Sequence, residues 1–225
     1  MLITFGVLVL LFAIYELKVT DYRAAAIQHR LQQQLSRTWT EPEVVPTRDR
    51  GGPKTTPTRP PKSRLGIVPP PAVQDGQGFA VIRIPRFGAG YHWVAVEGVS
   101  TSDLQMGPGH YPGTALPGQI GNVVISGHRT TYGHPFWDAD ALQPGDAIDL
   151  QVRDRVYRYR VTGTRDVDPS DLAVTYPVPD RPGVMPTSRL LALTTCTPRF
   201  SAAQRLIVSA ELNVNDVLPA PAGAG

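Results

Sequence analysis

Hydrophobic positions along the chain follow three different rhythms. From Leu2 to Tyr15, LITFGVLVLLFAIY is almost unbroken apolar sequence, and Leu17 and Val19 carry that character past Glu16 and Lys18. In DYRAAAIQHRLQQQL the large apolar residues thin out to Ile27, Leu31 and Leu35. That spacing of four is the helical period. From Gly78 onward the rhythm shortens to alternation and to brief apolar blocks: FAVIRIP, WVAVEGV, NVVISGH, DAIDLQV, VYRYRVTGT, LLALTTC and RLIVSAEL. Each is bounded by Gly, Pro, Asp, Asn or Ser, which is strand punctuation. Seven or eight short strands over so short a stretch predict an all-β barrel or sandwich. Asp154-Arg155 is the expected hairpin turn, and helix is expected only at Ser102–Met106 and near Pro135–Ala141.

Between the helical and the strand rhythms the apolar signal is lost. From Trp39 to Gln77 the chain is Pro, Thr, Arg and Gly with few large apolar residues. Such a stretch cannot bury enough surface to fold, and its prolines favour an extended spacer. The expected organisation is therefore an apolar anchor over 1–19, a membrane-proximal helix or stalk over 20–38, and a flexible Pro-rich linker over 39–77. A folded domain follows over 78–215, then a disordered tail over 216–225. For the first segment three readings compete. A cleaved signal peptide would use Ala24-Ala25-Ala26, but Glu16, Lys18, Asp21 and Arg23 lie between that site and the apolar run. A buried globular helix would carry a polar face, and this run has none. An uncleaved single-pass anchor fits best, although the run is shorter than the roughly 20 residues a span needs. No Lys or Arg precedes it, so charge gives no orientation, and a cytoplasmic stretch upstream is expected.

Composition sharpens this picture in two places. The 225 residues carry a net charge of +3, too small for a nucleic-acid patch, and 19 of the 22 basic residues are Arg. A single cysteine excludes an internal disulfide and a multi-cysteine metal cluster. In an oxidising compartment a lone thiol is a hazard. Cys196 is therefore either a buried small apolar residue or a group with a task.

Three polar residues share one placement. His128 follows NVVISG, Cys196 follows LLALTT, and Arg205 opens LIVSA. Each stands at the end of an apolar strand, where a rigid rim would hold it. A thiolate is a nucleophile, and a nearby imidazole can share its proton, then protonate a leaving amine and deprotonate an incoming one. A guanidinium stays charged and can hold an oxyanion or the carbonyls beside it. Together they make a kit for acyl transfer through a thioester. Taken singly, each has a plainer reading: a turn-capping histidine, a buried cysteine, a surface arginine. Asp138, Asp140 and Asp146 read as turn or solvated residues. His92, His110 and His134 lack zinc-motif spacing, and Trp93 and Trp137 read as core or groove walls. No cofactor or metal is expected.

The segment ALTTC (Ala192–Cys196) closely resembles the T-L-x-T-C signature of sortases, with Ala192 in place of the first threonine. VVISGHRTTYGHPF resembles the segment that carries the sortase histidine, QRLIVSAEL the strand that carries its arginine, and GPGHYPGTALPGQIGN the stretch leading into the histidine strand. The order His, Cys, Arg agrees over roughly residues 78–215. The resemblance implies a closed eight-stranded sortase barrel. It also implies a transpeptidase of Gram-positive surfaces, membrane-anchored with its catalytic domain outside the cell. Such an enzyme cuts a sorting signal between Thr and Gly and joins the Thr carbonyl to an amine of a cell-wall precursor, lipid II or a peptidoglycan stem peptide. Carried over, Cys196 is the nucleophile, His128 the acid/base and Arg205 the substrate and oxyanion stabiliser. Thr194, Thr195, Tyr111 and Tyr132 would contact substrate. GHRTTYG and TTCTPRFSAAQRLIV are most similar to actinobacterial class E, which is associated with LAxTG rather than LPxTG signals. The alternatives are a pilin-polymerising sortase and a non-enzymatic tethered β-domain. Papain-like enzymes put cysteine on a helix ahead of histidine, and L,D-transpeptidases use a Ser-His-Gly-Cys context. Neither pattern occurs here.

Overall fold

A computed structural model describes residues 2–15, 19–40 and 73–221. Eight strands, β1 (Gly78–Arg83), β2 (Trp93–Glu97), β3 (Gly109–His110), β4 (Gly121–Ser126), β5 (Ala147–Val152), β6 (Arg155–Val167), β7 (Arg189–Thr197) and β8 (Gln204–Pro219), form one sheet. It closes as a barrel in the order β1-β2-β3-β4-β7-β8-β6-β5. The β2–β3 and β4–β7 pairs are parallel and the rest antiparallel. Closure removes the free edges that an open sheet would expose.

Seven strands lie where the apolar blocks predict them. The eighth, β3, is two residues long and too short to show any period. The hairpin turn falls on Arg153-Asp154, one residue earlier than expected, with Arg153 at φ 51°. Strand β8 runs on to Pro219, which pairs with Arg155, so residues 216–219 are strand rather than tail. Residues 222–225 lie outside the described residues. The helix expected at Ser102–Met106 is α3 (Thr101–Met106), begun by a capping box between Ser100 and Asp103. The one near Pro135–Ala141 is a single tight turn, Ala139–Ala141.

Strand alternation divides the barrel wall into two faces. Val123, Ile125, Leu191, Leu193, Leu206 and Val208 point into the main core with Phe79, Ile82, Leu150 and Tyr159. Val124, Ala192 and Ile207 point outward and pack with Val174. The outer face of β4, β7 and β8 is thus covered by the β6–β7 connection, and Asn122 donates from this face to the Val174 and Tyr176 carbonyls.

Ahead of the barrel stand α1 (Leu2–Ile14) and α2 (Thr20–Thr40). Helix α1 has 13 residues and presents Ile3, Phe5, Leu8, Leu11 and Phe12 outward. Among the described residues no helix is long and apolar enough to cross a membrane. Of the expected 1–19 segment the structure describes residues 2–15 and 19, and residues 1 and 16–18 lie outside the described residues. At a rise of about 1.5 Å per residue, 13 residues fall well short of a hydrocarbon core about 30 Å thick.

Helix α2 is not a free-standing stalk. Leu31 and Leu35 are buried against Val81, Val94 and Val96 on the outside of β1 and β2, with Ile27, Trp39 and Met106 beside them. Because β3 is so short, the edge of β2 is left open at Val94. Gln28 fills it: Val94 N donates to Gln28 Oε1 at 2.7 Å, and Gln28 Nε2 donates to Val94 O at 3.0 Å and Met106 O at 2.8 Å. A side-chain amide thus stands in for the missing strand neighbour. Most of the expected linker, residues 41–72, lies outside the described residues. Its last residues already belong to the barrel, since Val73 packs on the core and Gly76 N donates to Glu97 O. Leu31→Ala is expected to cost about 2–3 kcal/mol in denaturant melts of the full chain, the low end for a buried leucine on a helix that can partly resettle. A cost near zero would mean that α2 adds nothing to the folded unit.

Candidate active site

The three candidate residues meet through register. In the parallel β4–β7 pair Ser126 stands beside Thr194. The pairing continues past the ladder, as Gly127 N donates to Thr194 O at 3.1 Å and Thr195 Oγ1 donates to Gly127 O at 2.7 Å. One more step along each strand reaches His128 and Cys196. On the other side of β7, Cys196 pairs with Arg205 in the antiparallel β7–β8 ladder. Alternation puts all three on the outer face, with Val124, Ala192 and Ile207. Three adjacent strands therefore deliver imidazole, thiol and guanidinium to one level of one face. Cys196 is a free thiol and half-buried.

Burial holds the His128 pKa below the ordinary 6.5. Its Nε2 is buried and has no protein partner among the described residues. The ring of Tyr132 lies against it, centroids 4.9 Å apart. Burial thus favours the uncharged imidazole, the form that can accept a proton. The sign of the pH dependence follows. The unfolded chain takes up this proton at higher pH than the folded one, so stability rises with pH across the window. His128's contribution is whole above about 6.5 and is lost as pH falls through the lower folded value. An NMR titration of the Cys196→Ala protein is expected to give a His128 midpoint below 6.5. A midpoint at or above that value would mean that the ring is hydrated.

Arg205 is half-buried, and its Nη1 donates to the carbonyls of Ala202 at 3.1 Å and Gln204 at 3.2 Å. Among the described residues no carboxylate pairs with it. Beside it lies a small cleft of about 40 Å³ lined by Tyr111, Ser126, Thr194, Ile207, Leu172 and Val174, among others. Larger clefts, about 370 and 470 Å³, run along α2 and do not touch Cys196, His128 or Arg205. Of the four candidate substrate contacts, Tyr111 and Thr194 line the Arg205 cleft. Thr195 points the other way, is buried, and ties the histidine segment to β7. Tyr132 stacks on His128, and its hydroxyl accepts from Gln105 Nε2 at 3.2 Å.

One part of the site escapes sequence reading. Arg129, next to His128, is 3% exposed. Its Nη1 reaches the Cys196 carbonyl at 3.4 Å and Thr197 Oγ1 at 3.2 Å, and its Nη2 pairs with Asp140 at 2.7 Å. A buried guanidinium is stable only when its donors are used. Here they brace the strand end that bears Cys196 against the histidine segment. The only signal in the sequence is an arginine directly after the candidate histidine. Asp138 and Asp140, read as solvated, both pair with Arg199, whose guanidinium also lies 4.7 Å from the Trp137 ring centre.

Comparison with known proteins gives the family. The sortase domain family matches residues 82–213. Sortase SrtE1 of Streptomyces coelicolor is 33% identical over 214 residues, covering 92% of this chain and 53% of that protein. The structure of sortase E from Streptomyces avermitilis is 40% identical with a TM-score of 0.60, covering 67% of this chain and 95% of the other. That of Sortase E1 from Streptomyces coelicolor with a tripeptide in the active site is 33% identical with a TM-score of 0.59, covering 68% of this chain and 100% of the other. The chain belongs to the sortase family, and class E sortases are among its homologues. It spans little more than half the length of the first curated relatives it matches, 53% and 57%.

Proposed function

We propose that this chain is a class E-like sortase that works at a membrane surface as a cysteine transpeptidase. The observation that carries the reading is the convergence of His128, Cys196 and Arg205 at one level of three adjacent strands. His128 takes the thiol proton, and Cys196 Sγ attacks the threonine carbonyl of an LAxTG- or LPxTG-type signal. The carbonyl π electrons move to oxygen, and Arg205 donates to the resulting oxyanion. As the tetrahedral intermediate collapses, the Thr–Gly C–N bond breaks and His128 protonates the departing glycine amine. The thioester is then attacked by an amine of a cell-wall precursor, lipid II or a stem peptide. His128 accepts the amine proton and returns it to the departing sulfur. The apolar surface of α1 supports an association with the membrane, with the catalytic barrel on the outer side. Sorting-signal-bearing surface proteins would be the substrates. The test is incubation of the full chain with LAxTG and LPxTG peptides, with and without an amine, followed by mass spectrometry. Cleavage at Thr–Gly with the amine joined to Thr is expected. Absence of both cleavage and any acyl adduct on Cys196 with either peptide would overturn the reading.

A further inference from the structure

The segment after His128 is held in an unusual shape. Tyr132, Gly133 and His134 follow one another at φ 52°, 76° and 41°. Left-handed backbone at non-glycine residues costs of order 1–3 kcal/mol each and persists only where the surroundings over-determine it. The outside support here comes from an element that precedes the family domain. Gly133 N, at the loop apex, donates to Asp21 Oδ1 of α2 at 2.7 Å, across 112 residues of chain. The other Asp21 oxygen lies 3.6 Å from His134 Nδ1. A Cβ on Gly133 would come within 2.3 Å of Trp93 and 3.4 Å of Ala24 on α2, so the apex is seated flush in the α2–β2 corner. Ala24 is fully buried there. The far side of the loop is tied by Tyr91, whose hydroxyl donates to Pro135 O at 2.7 Å. Tyr132, inside this clamped stretch, is the ring that lies against His128.

We propose that Asp21 is a positioning residue for the acyl-transfer site: it anchors the apex of the 131–135 loop, and Tyr132 thereby holds the His128 imidazole in place. This rests on the transpeptidase reading above. The functional unit then begins at α2, outside the 82–213 family match. Docking of the N-terminal helix becomes a condition for full turnover. The contact to Gly133 N asks only for an acceptor oxygen, so an amide at position 21 can serve it and a methyl cannot.

The test compares full-chain wild type, Asp21→Asn, Asp21→Ala and Leu31→Ala. Three readouts are used: sorting-peptide kinetics, thermal midpoint, and NMR titration of His128 in the Cys196→Ala background. Asp21→Ala is expected to lower kcat about tenfold with KM within about twofold, the pattern of a misplaced catalytic group. It should also move the His128 midpoint up toward 6.5 as water reaches the ring. Asp21→Asn should stay within about twofold of wild type in kcat, and Leu31→Ala should lose stability with a smaller kcat loss than Asp21→Ala. Wild-type kcat and an unmoved His128 midpoint in Asp21→Ala would overturn the proposal. So would an Asn variant as impaired as the Ala one, or losses that track the thermal midpoint alone. If wild type itself leaves both peptides uncut, the transpeptidase reading fails. The His128 titration still reports whether Asp21 holds the ring.

Discussion

Cys196→Ala is expected to remove turnover altogether, by at least about 10⁴-fold, because no other group can form the thioester. The fold should not notice the change. Cys196 is half-buried at a strand end, and its pairing with Arg205 is through backbone. Deleting one sulfur there should shift the thermal midpoint by only a few degrees. Wild type incubated with a sorting peptide should gain a mass on Cys196, and the alanine variant should gain none. Retained cleavage in the variant would end the thioester mechanism. A variant that loses no function in cells would favour a tethered β-domain that binds a partner.

The sequence is most legible where backbone period and chemistry coincide. The blocks NVVISGH, LLALTTC and RLIVSAEL read as strands, and the structure makes them β4, β7 and β8, with Val123 and Leu193 inside the barrel and Val124 and Ala192 under the β6–β7 connection. A polar residue ending each block had to lie at the rim. Whether three rims met depended on strand order, which no local pattern encodes. The β4–β7 pairing joins residues almost 70 apart. The resemblance to sortases supplied that order; periodicity did not.

What stayed hidden was polar and non-local. Gln28 reads as one glutamine among several on a helix, yet its amide closes the edge of β2. Asp21 reads as a charge beside the apolar run, yet it holds the apex of the histidine loop. Arg129 looks solvated until Asp140, Thr197 and the Cys196 carbonyl gather around it. Apart from Asp140, 11 residues from Arg129, the partners lie more than 60 residues away, and the side-chain type alone allows an exposed reading. The apolar stripe Ile27, Leu31, Leu35 predicted the helix but read as a stalk, whereas Leu31 and Leu35 are buried on the barrel. A stripe alone cannot say whether its partner is a second helix or the barrel.

Arg205→Lys separates the two things that the arginine supplies, charge and planar geometry. Lysine keeps the positive charge but loses the fork of donors, and its ammonium is a hydrated point charge on a flexible stem. In the resting structure Arg205 Nη1 is held by the Ala202 and Gln204 carbonyls. That contact orients the guanidinium with one nitrogen and leaves others for the developing oxyanion. Donors fixed in this way are typically worth about 3–4 kcal/mol in the transition state, or roughly 10²–10³ in rate. Arg205→Lys is therefore expected to lower kcat/KM by about 10²-fold, and Arg205→Ala by a further factor of about ten. Both losses should fall mainly on kcat, because the oxyanion exists only in the transition state and the intermediate. The lysine variant should leave the acid limb of the pH profile in place, because it keeps a positive charge near His128 and the burial that lowers the His128 pKa is untouched. Thermal stability should hold as well, because the bonds lost go to the carbonyls of the exposed residues Ala202 and Gln204, which water can satisfy. A lysine variant within about threefold of wild type would show that charge alone suffices at position 205. The backbone N–H groups around Cys196 would then have to carry the oxyanion.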